Sequence, residues 1–356
     1  RNTMSSFAKK ILSLVLALSM LMLLAACGAQ SAPVESAAPA ASEEPAAAPD
    51  NAQAEYDSTL PVNVMTLNGT TGFGMANLMY AAQNGGAALN YSFTVETDAS
   101  NITAALINGS ADIAALPTNA AAALYSKTGG AVQVLALNTL GVLYLVSDGT
   151  CAAASFDDLK GQTVYAPAQN PSFIFQYLCE KNGLKPGEDI IIDTTYAQPA
   201  DLNAAVSSGE VSLAVLPEPM VTIACAANSA LSVAMDLTAE WDKVSPAGSL
   251  VQGCVVVRTE FAKEHAAELK CFLDEYRASV EALSADVQGT AEKIQETGIF
   301  AKAAVAAKAI PNCNVCFIAG SDMRDALSSF YEIMFAVAPA SIGGAIPGDD
   351  FYCVLE

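Results

Sequence analysis

Short apolar runs alternate with longer amphipathic stretches along most of this chain, and the alternation occurs twice. Val62-Asn63-Val64-Met65 and Gln162-Thr163-Val164-Tyr165 both read as strands. Each enters a loop of small polar residues (68–72 and 169–172) and then an apolar-faced helix, Met75 to Gln83 in one copy and Phe173 to Lys181 in the other. Asn84-Gly85 and Asn182-Gly183 supply the stop signals, because glycine accepts the left-handed backbone that ends a helix. The order continues with Asn101 to Gly109 and Asp201 to Gly209, two helices closed by glycine. Ile113-Ala114-Ala115-Leu116-Pro117 and Leu213-Ala214-Val215-Leu216-Pro217 follow as apolar strands ending in a proline loop. These segments correspond at a constant offset of about one hundred positions, so the chain carries an internal repeat.

Strands alternating with helices predict an α/β protein with a parallel sheet in each half and right-handed crossovers. Ligands of open sheets sit beyond the carboxyl ends of the strands. Two lobes facing each other across a central cleft therefore present four loops to it: 68–73, 117–119, 169–173 and 217–219. Leu140 to Val146 and Leu250 to Arg258 are apolar runs that read as hinge strands between the lobes. They divide the fold into a first lobe of residues 58–144 and 252–356 and a second of residues 145–251. Glu260 to Leu283 is patterned as one helix with Phe261, Leu269, Phe272, Tyr276 and Val280 on its apolar face. Phe317 to Val337 predicts another, started at Ser321 and packed back on the first lobe.

The N-terminal region follows a different pattern. Lys9 and Lys10 precede the apolar run Ile11 to Leu24, which is shorter than the ~20 residues of a spanning helix. Leu24-Ala25-Ala26-Cys27-Gly28 then supplies small residues for cleavage, so residues 1–27 read as an export signal. The Leu-Ala-Ala-Cys ending resembles the bacterial lipobox, which implies diacylglycerol on the Cys27 sulfur; a plain secretion signal or uncleaved anchor is the alternative. Residues 28–57 are mostly Ala, Pro, Ser, Glu and Gln, too polar and small to form a core, and read as a disordered tether.

A net charge of -21 argues against a nucleic-acid partner, since phosphates require clustered Lys and Arg. The chain has one histidine, His265, among Lys263, Glu264 and Glu268. It reads as a solvated helix residue, and no nucleophile–base or metal constellation assembles around it, so the chain is not expected to be an enzyme. Cys313-x-x-Cys316 has no second pair or neighbouring histidine, which argues against zinc. Gly72-Phe73-Gly74 lacks the third glycine of a dinucleotide fingerprint, and no cofactor is expected. Beyond Cys27 eight cysteines remain at irregular spacing, leaving disulfide pairing open.

Asp157-Asp158-Leu159-Lys160-Gly161-Gln162-Thr163-Val164 resembles the opening of the second lobe in type II periplasmic binding proteins. Leu216-Pro217-Glu218-Pro219 resembles a loop of the branch that includes nitrate, alkanesulfonate, taurine and thiamine-precursor binders. Gly343-Gly344-Ala345-Ile346-Pro347 with Asp349-Asp350-Phe351-Tyr352 is similar to that branch's C-terminal ending. The likeness covers about residues 60–356. It implies a type II periplasmic-binding-protein fold and a solute-binding lipoprotein on the outer face of the cytoplasmic membrane, serving an ABC permease and ATPase complex. A ligand-presenting receptor for a sensor and a secreted enzyme on the same scaffold are the alternatives.

The solute expected is small, and nitrogen-containing or anionic. Asn68, Thr70 and Thr71 in the first loop, Thr118 and Asn119 in the second, and Gln169, Asn170 and Ser172 in the third offer donors at helix starts. Each also has an ordinary role as a cap. Glu218, held between two prolines, can accept from a ligand N–H or ammonium. Phe73 and Phe173, with Tyr144, Tyr165 and Trp241, are candidate aromatic clamps.

Overall fold

The computed structural model describes residues 55–355; the leader, Cys27 and nearly all of the tether lie outside the described residues. The first strands in chain order are β1 (Pro61–Leu67), β2 (Asn90–Glu96), β3 (Ile113–Pro117), β4 (Val132–Thr139), β5 (Leu143–Ser147) and β6 (Thr163–Tyr165). They are followed by β7 (Ile191–Asp193), β8 (Leu213–Pro217), β9 (Ser232–Asp236), β10 (Gly253–Arg258) and β11 (Val315–Ala319). One six-stranded sheet has the order β11-β4-β10-β3-β1-β2 and one five-stranded sheet the order β7-β6-β8-β5-β9.

The repeat is visible in both halves. Helices Ala99–Asn108 and Pro199–Ser208 occupy equivalent places and end at Gly109 and Gly209, both at φ 79°. That left-handed backbone is what a side chain resists and glycine permits. The strands that follow, β3 and β8, are buried through their first four residues, as apolar runs covered on both faces must be.

Both sheets are mixed rather than purely parallel. β1 runs parallel to β2 and β3, while β10 lies antiparallel between β3 and β4. In the second sheet β6 is parallel to β7 and β8, but β5 is antiparallel to β8 and β9. The reason is connectivity. β5 and β10 are the first strands after the chain changes sheets, so each enters at the edge where the others end and must run the opposite way. The two runs expected as hinge strands are thus mostly sheet strands, and only their leading residues, 140–142 and 250–252, make the crossing.

Two further expectations are corrected. The predicted helix at 260–283 is two helices, Thr259–Glu264 and Ala266–Ala285, because His265 leaves helical geometry at φ -130°, ψ 48°. His265 is half-buried at that break, its ring 4.8 Å from Phe261. Phe261, Leu269, Phe272, Tyr276 and Val280 are all buried. The late helix spans Gly320–Val337 and packs against helix Asn170–Lys181 of the second half as well as β4 and β11 of the first. Phe317 itself belongs to β11.

That bridging helix gives the halves a common core. Met323, Leu327, Phe330, Tyr331 and Met334 share one apolar cluster with Leu116 and Val134 of the first sheet and with Phe175, Leu178 and Trp241 of the second half. Trp241 is fully buried, 6.1 Å from the Phe330 ring and 4.9 Å from Tyr177, and its Nε1–H donates to Ser249 Oγ at 2.8 Å. It is a core residue and not a clamp. Trp241→Ala is expected to cost about 3–5 kcal/mol, the usual range for emptying a large aromatic site. In chemical denaturation, probes in the two halves should lose structure at a common, lowered midpoint.

Candidate functional site

Strand registers define the edge where the two sheets face the crossings. In the first sheet Pro117 and Thr139 both lie beside Gly253, and Thr139 also lies beside Val315. In the second sheet Leu143 lies beside Pro217 and Tyr144 beside Asp236. The carboxyl ends of β1, β3 and β4 and of β6, β8 and β9 therefore open on the segment that joins the sheets. All four expected loops leave from these ends.

Backbone and amide hydrogen bonds bind the crossings together. Gln252 N–H donates to Thr139 O at 2.9 Å, and its side-chain Oε1 accepts from Val142 N–H at 2.8 Å. Asn314 Nδ2 donates to Gly141 O at 2.6 Å, and Leu140 N–H donates to Asn314 O at 3.1 Å. Gly141 is required sterically: a Cβ there would stand 2.1 Å from Thr238 Oγ1 and 2.7 Å from Leu250 Cδ2. Two of the four loops are fastened to this knot. Thr118 N–H donates to Gln252 O at 3.2 Å and Thr118 Oγ1 to Val251 O at 2.7 Å, while Glu218 N–H donates to Val142 O at 2.9 Å.

In the first loop Asn68 is exposed and Thr70 and Thr71 are half-buried, forming the start of a single helical turn, Thr70–Phe73. Gly69 N–H donates to Ile299 O at 3.2 Å, and Thr71 O accepts from Asn138 Nδ2 at 3.1 Å. Phe73 is wholly buried with its edge toward Phe300, so it has no surface to present to a solute. Asn119 is half-buried in the first turn of helix Thr118–Thr128.

In the third loop helix Asn170–Lys181 begins three residues earlier than the pattern predicts. Gln169 precedes it at φ 69°, ψ -138°, a backbone state costly for a residue with a side chain. Ser172 Oγ donates to Gln169 O at 2.9 Å. Gln169, Ser172 and Phe173 line a groove of about 430 Å³ along β7 with Ile191 and Ile192. Asn170 does not line this groove; it is buried, and its Oδ1 has no hydrogen-bond partner. Tyr165 is half-buried against Tyr196, ring centroids 5.9 Å apart.

Glu218 is buried, and its two oxygens accept from Thr222 N–H at 3.1 Å and Thr222 Oγ1 at 3.0 Å. Burial pushes its carboxyl above the ordinary value, with the hydrogen bonds from Thr222 and Asn312 opposing. The Tyr144 hydroxyl donates to Asn312 O at 2.8 Å; burial first, and then the charges of Asp236 and Glu218, push that phenol up. The amides Asn138, Gln252, Asn312 and Asn314 were not among the site residues read from the sequence. Gln252 left a signal, a lone polar residue between Val251 and Gly253 in an apolar run; Asn312 and Asn314 left none.

The eight described cysteines are all free thiols, and Cys313 Sγ donates to Ala309 O at 3.2 Å. No described helix is long and apolar enough to cross a membrane.

Comparison of the fold with solved structures finds an ABC transporter protein from Parabacteroides distasonis, 24% identical, TM-score 0.71, over 84% of this chain and 100% of that one. The periplasmic aliphatic sulphonate binding protein SsuA from Escherichia coli is similar at 14% identity and TM-score 0.64, over 80% of this chain and 90% of that one. The ligand-binding component of an ABC-type import system from Staphylococcus aureus, with zinc bound, matches at 14% identity and TM-score 0.62, over 83% and 96%. No family model and no curated protein sequence matches. The fold is that of the type II periplasmic binding proteins.

Two outcomes follow from the knot and from Glu218. Gln252→Ala strips the buried Val142 N–H of its acceptor and should lower unfolding stability by about 1–3 kcal/mol, read by denaturant titration. The folded protein holds the Glu218 proton more tightly than the unfolded chain does. Its stabilising contribution is therefore full below the ordinary value of 4.5 and is lost as pH rises through the raised folded value. Glu218→Gln should gain melting temperature relative to the parent as pH is raised from about 4 to 7; a constant difference across that span would count against the raised carboxyl.

Proposed function

We propose that this chain is the extracytoplasmic solute-binding component of an ABC importer, held to the outer face of the cytoplasmic membrane by a lipid on Cys27. The observation that carries this reading is the arrangement of two sheets whose carboxyl edges face one another across two short crossings tied by Gln252. An edge of this kind collects loops from many strands at one place, which is where open α/β sheets bind ligands. Two such edges on a narrow connection can enclose a solute from both sides.

The mechanism is hinge closure. Solute binds the loops of one lobe first. Contacts from the other lobe then stabilise the closed state, and only ligands that contact both lobes shift the population. The closed form is the one that docks on the permease and releases its solute into it. By their names, the three similar structures are an ABC transporter protein, an import-system component and a sulphonate binder, which supports the importer reading without naming a solute for this chain.

A thermal-shift screen of the full chain against amines, amino acids, pyrimidines, sulfonates and sugars tests capture. A binder at a hundredfold excess over its dissociation constant adds about 2.7 kcal/mol of stability. The shift should depend on concentration, leave the compound chemically unchanged, and fall sharply in Asn170→Leu. Consumption of the compound would contradict binding without turnover. In cells, Cys27→Ser should move the protein from the membrane fraction to the soluble one.

A further inference from the structure

Four side-chain donors of the facing edges already have internal acceptors. Thr118 Oγ1 donates to Val251 O at 2.7 Å, Asn138 Nδ2 to Thr71 O at 3.1 Å and Asn314 Nδ2 to Gly141 O at 2.6 Å. The Tyr144 hydroxyl donates to Asn312 O at 2.8 Å. Asn170 Oδ1 is buried without any donor, and Thr238 Oγ1, a hydroxyl that accepts as readily as it donates, is also unpartnered. A buried acceptor without a donor costs about 1–3 kcal/mol, so a ligand that supplies the donor recovers that cost.

Charge points the same way. Segments 68–73, 117–119, 138–142, 166–170, 217–220, 249–253 and 310–314 contain no Lys or Arg and one carboxylate, Glu218. No ion pair among the described residues involves Glu218. Its neighbours are Thr222, Asn312 and the neutral Tyr144, Cys225 and Cys313. Lys302 and Lys308, at the start of and within the helix that faces Met220–Ala227, are both exposed. A buried carboxylate with no cationic partner repels an oxyanion and attracts a cation, most strongly where water is excluded.

We propose that this cleft takes a solute bearing a protonated nitrogen with N–H donors, an amine or amidine, and discriminates against oxyanions. Glu218 supplies the charge and Asn170 Oδ1 a neutral acceptor. The proposal rests on the solute-binding reading above and narrows it: the sulphonate specificity in the name of one similar structure does not carry over to loops that hold Glu218 and no Lys or Arg.

Isothermal titration calorimetry on the full chain tests it, with agmatine, spermidine, histamine and benzamidine as one set and ethanesulfonate, sulfate and nitrate as the other. At least one cation should bind at one site per chain, and no oxyanion should. Glu218→Gln and Asn170→Leu should each weaken that cation tenfold or more, with circular dichroism confirming that both variants fold. An oxyanion that binds while every cation fails overturns the proposed class but leaves solute capture standing. A cation that binds both variants as tightly as the parent overturns the assigned residues. Silence from both sets overturns the class, and silence extending to neutral sugars, pyrimidines and amino acids removes the capture reading as well.

Discussion

The side chain of Gln252 holds the two chain crossings to each other. Its backbone N–H reaches Thr139 and its Oε1 receives Val142, so one residue of the returning crossing bonds to both ends of the outgoing one. Two of the four loops take their position from that link. Thr118 hangs from Val251 and Gln252, and Glu218 hangs from Val142, so the ends of β3 and β8 are referenced to the same few atoms. Gly141 lets the outgoing crossing pass within contact of Thr238 and Leu250, where any side chain would collide. The result is a junction rigid in its hydrogen bonds yet only two strands wide.

A junction that narrow would leave the halves loosely related were it not for the core behind it. Helix Gly320–Val337 packs on the first sheet and on helix Asn170–Lys181 of the second half, and the Tyr177, Trp241 and Phe330 rings form a continuous aromatic contact from one half to the other. Apolar contact of this kind is non-directional and tolerates small rotations better than a hydrogen-bonded sheet does. The bridging helix thus supplies cohesion while the crossings supply the axis. Motion between the sheet edges is consistent with both.

The repeat made most of the architecture legible. Glycine stops at Gly109 and Gly209 and the proline ends of β3 and β8 are local signals, and they located helices and strands correctly in both halves. Strand direction was not local. The apolar run from Leu143 to Val146 reads the same whether its strand is parallel or antiparallel, and β5 and β10 run backwards only because of where the chain re-enters each sheet. Side-chain facing was equally hidden. Phe73 and Trp241 looked like clamps from composition, but their neighbours Phe300, Tyr177 and Phe330 come from distant parts of the chain. Asn312 and Asn314 reach Tyr144 and Gly141 from 168 and 173 positions away, a relation that sequence spacing does not encode.

Capture of a solute between the sheet edges requires closure about the crossings. Fluorescent labels introduced by non-cysteine chemistry at exposed Ile107 in the first half and exposed Val233 in the second would report it by energy transfer. Saturating solute should change the transfer efficiency to a single new value, and Gln252→Ala should broaden the distribution in the absence of solute. Solute bound at full stoichiometry with no change in efficiency, at this pair and at a second pair across the same edge, would contradict closure.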